Sequence, residues 1–124
     1  MGQWKGMLVA VGLLAGCGGA EEPQLSYAEW SERTAAVMCT HAERCEGRTV
    51  AYELCVAELV AAWAAVEPEL DRGIAGAKSG CVQCMRIRME ELEVSLASEC
   101  SRPPDEARVR SVCGAGNEAC AGAP

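Results

Sequence analysis

SYAEWSERTAAVMCTHAERCEGRTVAYELCVAELVAAWAAV, residues 26–66, is written as two helices and the turn between them. Ser26 followed three residues later by Glu29 is a capping box, in which a serine oxygen and a glutamate each satisfy an N–H at a helix start. Behind it Tyr27, Trp30, Thr34, Val37, Met38, His41 and Cys45 recur at intervals of three and four, which predicts an amphipathic helix over 27–45. Glu46-Gly47-Arg48 stops it, with Gly47 where a left-handed residue commonly closes a helix. Thr49 is expected to cap a second helix with Tyr52, Cys55, Val56, Leu59, Val60, Trp63 and Val66 on its apolar face, and Pro68 to bound it. So short a loop implies antiparallel packing. Cys39 and Cys55 each stand eight residues from Gly47, so folding about that glycine places them opposite one another and predicts a bridge between them.

Downstream the signal weakens. Residues 69–80, ELDRGIAGAKSG, carry glycines at 73, 76 and 80 and fit either a frayed helix end or a loop. From Cys81 to Glu99, Val82, Met85, Met89, Leu92 and Leu96 fit a helix, whereas Met85-Arg-Ile87-Arg-Met89 alternates as a strand would. Helix is favoured, because Met, Arg, Glu and Leu are good helix formers and Glu90-Glu91 is a poor hairpin turn. Pro103-Pro104-Asp105-Glu106 opens a last short helix, with proline in its first turn, running to Val112 or Cys113. The tail that follows has no periodicity, and Cys120 is expected to pin it to the bundle.

Upstream, Lys5 gives a short basic segment, Met7 to Ala15 an uncharged apolar one, and Leu14-Ala15-Gly16-Cys17 a run of small residues ending in cysteine. The apolar run is shorter than the roughly 20 residues of a membrane-spanning helix and reads as an export signal. Leu14-Ala15-Gly16-Cys17 resembles the lipobox of bacterial lipoproteins cut by signal peptidase II. The resemblance covers residues 1–17. It implies removal of residues 1–16, a diacylglycerol on the Cys17 thiol, a further acyl chain on the new amine, and membrane attachment through that lipid. Two or three acyl chains, at about 0.8 kcal/mol per buried methylene, anchor stably where one is marginal. In the Gram-negative sorting pattern, Gly18 in place of an aspartate implies the outer membrane. Residues 17–25 then form a flexible tether.

Residues 1–16 hold Lys5 and no acid, so a chain beginning at Cys17 has ten Lys and Arg against eighteen Asp and Glu, a net charge of −8. Acidity of this degree argues against nucleic acid and anionic lipid as partners, since both need clustered basic charge. Residues 26–124 are read as one domain, with no phenylalanine and abundant alanine, so helices approach closely but bury little area. Cysteine supplies what the core lacks. Apart from Cys17 there are eight, Cys39, Cys45, Cys55, Cys81, Cys84, Cys100, Cys113 and Cys120, and an even number in a short exported chain reads as a disulfide framework.

Chemistry is harder to place. Cys81-Val82-Gln83-Cys84 has the CxxC spacing of a thiol–disulfide exchanger, but no strand precedes it, and two separate structural bridges are the simpler reading. Cys39, His41 and Cys45 could form part of a metal site, against which stand the mismatch with zinc-ribbon spacings and the competition of oxidation. His41 is the sole histidine, hence the sole ready base for a serine or cysteine nucleophile, and no GxSxG is present. In composition and cysteine density the chain resembles the small Cys-rich envelope lipoproteins of GC-rich Gram-negative bacteria such as myxobacteria, with nine arginines against two lysines. That resemblance implies an envelope location. The expectation is an all-α, disulfide-stapled bundle of three to four helices. Functionally it is a non-enzymatic lipoprotein with no cofactor or metal, attached to the membrane through Cys17, with an envelope protein as partner and no small-molecule substrate. The alternatives are thiol exchange at Cys81 and Cys84, or metal binding at Cys39, His41 and Cys45.

Overall fold

The structure, a computed structural model, describes residues 24–114 and Cys120. Export signal, lipobox, Cys17 and most of the tether and tail lie outside the described residues. Four helices follow in order, α1 (Tyr27–Cys45), α2 (Tyr52–Arg72), α3 (Ala77–Ala97) and α4 (Glu106–Cys113), with no strand among the described residues.

Helix α1 has the bounds the sequence predicts. Ser26 Oγ accepts from the Glu29 N–H at 3.2 Å, and the Glu29 carboxylate accepts from the Ser26 N–H at 2.7 Å, which holds that carboxyl below its usual range. At the other end the Glu46 and Arg48 N–H groups both donate to the Ala42 carbonyl, and Gly47 turns the chain at φ +63°. The buried stripe is rotated from expectation. Ser31, Ala35, Cys39 and Ala42 are buried with Tyr27, Thr34 and His41, while Trp30, Val37 and Met38 are only half-buried. The cause is sandwiching: α1 packs against both α2 and α3, and small side chains sit where two helices press on a third.

Helix α2 corrects three readings. Its N-cap is Ala51 rather than Thr49, and no side chain caps it. Tyr52 is exposed. Pro68 does not end the helix, which continues to Arg72. Proline forfeits the bond to the carbonyl four residues back, that of Ala64, but both residues are exposed, so the helix continues at little cost. Residues 69–80 therefore divide into the last turn of α2, a tight turn at 73–76 and the first turn of α3, which Gly76 enters at φ +88°. Prolines 103 and 104 precede the N-cap of α4 instead of occupying its first turn; Asp105 caps it by accepting from the Arg108 N–H at 3.1 Å.

The helices run up, down, up, down. Tyr27 at the start of α1 donates its hydroxyl to the Trp63 carbonyl at 2.8 Å, so α2 is antiparallel to α1, while Lys78 at the start of α3 lies 5.6 Å from the Tyr27 ring. Burial, with Glu67 nearby, pushes the Tyr27 phenol up to about 12. Among the described helices α4 packs on α3 alone. Glu91 of α3 ties it there, accepting from the Asp105 N–H at 3.0 Å and from the Arg108 guanidinium at 2.7 Å.

Four bridges complete the core: Cys39–Cys55, as the turn geometry predicts, Cys45–Cys100, Cys81–Cys120 and Cys84–Cys113. Cys120 thus anchors the tail to α3. Around the sulfurs lie Leu59, Trp63, Leu70, Met85, Ile87 and Val109. Cystine density of this kind belongs to an oxidising, exported setting. No described helix is long and apolar enough to cross a membrane.

Candidate functional site

The two ends of the bundle differ. At the end where α1 begins, one ammonium is held by two carboxylates. Lys78 Nζ lies 2.8 Å from Glu67 and 3.2 Å from Asp71, tying the close of α2 to the opening of α3, and its ammonium is held above its usual range by those two carboxylates. Where α1 ends, the bundle is open. Because α4 covers only α3, the exposed sides of α1 and α2 face a groove of about 360 Å³.

Each wall follows from a local feature. Met38, Ala42 and the Cys39–Cys55 bridge form the floor, with Leu59, Leu92 and Val109 contributed by the other three helices. The extended segment after Gly47 brings Arg48 and Val50 to one rim, and the pair of prolines before α4 sets Pro104 and Glu106 on the opposite one. The rim carries four carboxylates, Glu43, Glu46, Glu58 and Glu106, against the guanidiniums of Arg48 and Arg88. Of these, Glu46 alone has an ionisable partner within 4 Å among the described residues, His41. Val50 is 52% exposed on the rim, and Tyr52 and Leu54 follow it at 39% and 54%.

The rim residue Glu46 belongs to a constellation that sequence reading missed. His41 Nε2 shares a 2.8 Å hydrogen bond with Ser95 Oγ, and His41 Nδ1 stands 3.4 Å from Glu46. Serine, histidine and carboxylate in that order make up the relay of many hydrolases. The surroundings do not suit that chemistry. Ser95 is 2% exposed and His41 5%, so no acyl group reaches the hydroxyl, and Ser95 lies within α3, where backbone N–H groups are committed to the helix ladder and cannot form an oxyanion hole. The arrangement is suited instead to bracing α1 against α3. His41 and Ser95 are 54 residues apart, so no local pattern announces them.

The other candidate residues are placed as follows. Cys81 and Cys84 are not joined to each other; each leaves α3 for a different cysteine, and both are buried. Cys39 and Cys45 are bonded to Cys55 and Cys100, so neither offers a thiolate beside His41. No group of three or more His, Cys, Asp or Glu side chains among the described residues is arranged to hold a metal ion. Comparison with protein-family models, curated proteins and solved structures finds no match to this chain.

Proposed function

We propose that this protein is an exported, lipid-anchored binding module without catalytic activity, and that its groove receives a basic, partly apolar segment of another envelope protein. The observation that carries this reading is the groove's charge pattern. Glu43, Glu58 and Glu106 stand around an apolar floor with no ion-pair partner among the described residues, whereas Lys78 is paired twice at the other end of the bundle. A carboxylate rim over apolar carbon complements a segment that presents Lys or Arg beside apolar side chains. The chain's overall acidity steers such a segment toward it. Anchoring rests on the lipobox-like Leu14-Ala15-Gly16-Cys17; lipid on Cys17 attaches the module to the membrane, the outer one by the identity of Gly18.

A photo-crosslinking side chain at Val50, on the rim, is compared in cells with one at Ile74, which is 86% exposed in the turn at the far end. The expected result is an adduct from position 50 only, mapping to a Lys- or Arg-bearing apolar segment, and lost in Glu43→Lys/Glu58→Lys. Equal adducts from both positions, none from either, or one insensitive to charge reversal would refute the groove. The intact mass of membrane-extracted protein tests the anchor: a chain beginning at Cys17 with added acyl mass is expected, and an unmodified N-terminus would overturn it.

A further inference from the structure

The four bridges are not equivalent. Cys39–Cys55, Cys81–Cys120 and Cys84–Cys113 each contain at least one cysteine exposed by 3% or less. In Cys45–Cys100 neither half is buried, and Cys100 is the one exposed residue of the eight. Backbone conformation separates this bridge again. Cys39, Cys45, Cys55, Cys81, Cys84 and Cys113 lie within helices, Cys45 as the last residue of α1. Cys100 does not: it has φ +66°, directly after Glu99 at φ +54°. A residue with a Cβ is disfavoured in that left-handed region, where glycine is the usual occupant after a helix, and here two follow in succession. Glu99 is held there by the closing bonds of α3, its own N–H to the Leu96 carbonyl at 3.0 Å and the Cys100 N–H to the Ser95 carbonyl at 2.8 Å, and Cys100 is held in addition by the link to Cys45. Opening the link frees Cys100 to relax, and a bridge that is exposed and whose rupture releases backbone strain is easier to reduce than one that is buried and relaxed.

We infer that Cys45–Cys100 is a thiol-exchange site, opened by a small external thiol while the other three bridges stay closed. The step is a displacement at sulfur. An incoming thiolate attacks Sγ of Cys100, a new S–S bond forms there as the bond to Cys45 breaks, and the electron pair leaves on Sγ of Cys45, which takes a proton from water. A second thiolate displaces Cys100 in turn, so two external thiols become one disulfide and the bridge becomes two thiols. The site adjoins the groove: Cys45 directly precedes the rim residue Glu46, and the segment after Cys100 leads to Pro104 and Glu106 on the opposite wall.

The test holds the folded protein in glutathione buffers of graded ratio without denaturant, traps thiols by alkylation, and maps the products by peptide mass spectrometry. Cys45 and Cys100 are expected to become alkylated, or Cys100 glutathionylated, at least tenfold faster than any other cysteine. All eight cysteines reacting together, or Cys39–Cys55 opening first, would overturn the inference.

Discussion

Replacing Ser95 with alanine tests whether the buried serine–histidine pair is a brace. The hydroxyl sits 2.8 Å from His41 Nε2, and both side chains are buried. The substitution removes one hydrogen bond, about 1 kcal/mol net, and leaves a buried ring nitrogen unpaired, a further cost of about 1–3 kcal/mol. Alanine returns about 0.5 kcal/mol through its better helix propensity within α3. The balance is a loss of about 2.5 kcal/mol, or roughly 10–20 °C in Tm for a domain of this size. The assay is guanidinium unfolding with all bridges intact, followed by circular dichroism and by the fluorescence of Trp30 and Trp63. His41→Leu/Ser95→Ala removes both polar partners, so it is expected to cost at least 1 kcal/mol less than the sum of the single variants. Additive effects, or Ser95→Ala within about 0.5 kcal/mol of the parent, would refute the brace. A fluorophosphonate probe is expected to leave Ser95 unlabelled in the folded protein; labelling there would restore the nucleophile reading.

Ala51→Asp is expected to stabilise the protein by about 0.5–1 kcal/mol in the same unfolding assay, because it supplies the side-chain cap that α2 lacks. Glu91 has its carboxyl held low by the Asp105 N–H and by Arg108, so its contribution is complete at neutral pH and disappears as acid protonates it; Glu91→Gln is expected to flatten the acid limb of the stability profile below pH ~4.5. Tyr27 acts at the other limb: with its phenol pushed up to about 12, its stabilisation is intact below pH 10 and falls as pH rises from there toward 12, and Tyr27→Phe is expected to remove that alkaline loss at a cost of about 1 kcal/mol at neutral pH.

What was legible in the sequence was local or symmetric. Ser26 and Glu29 read each other across three residues, and Cys39 and Cys55 stand symmetrically about Gly47, so the first helix and the first bridge followed from spacing alone. The helical reading of 81–97 rested on propensity, because burial there is shared between an α1-facing and an α4-facing side and the resulting stripe includes Glu91 and Ser95, polar residues that a hydropathy pattern counts as solvent-facing. Pro68 misled because its cost depends on whether the orphaned carbonyl meets water, which the sequence does not state. Thr49 misled because the extended segment after Gly47 runs two residues further before α2 begins. The groove was invisible for a stronger reason. Its residues come from all four helices, and it exists because α4 packs on α3 alone, a tertiary choice with no periodic signature.

The order of the bridges bears on how the molecule is made. Along the chain the cysteines run 39, 45, 55, 81, 84, 100, 113, 120, and none of the four bridges joins two that are neighbours in that order. A polypeptide threaded N-terminus first through an export channel offers Cys45 to Cys39 before Cys55 emerges, so an oxidase that couples thiols as they appear produces wrong partners from the start. Reaching the native set then depends on reshuffling, which is slow unless catalysed. Cells deprived of disulfide isomerase activity are expected to accumulate this protein with Cys39 joined to Cys45, and native bridges forming at the normal rate there would refute that expectation.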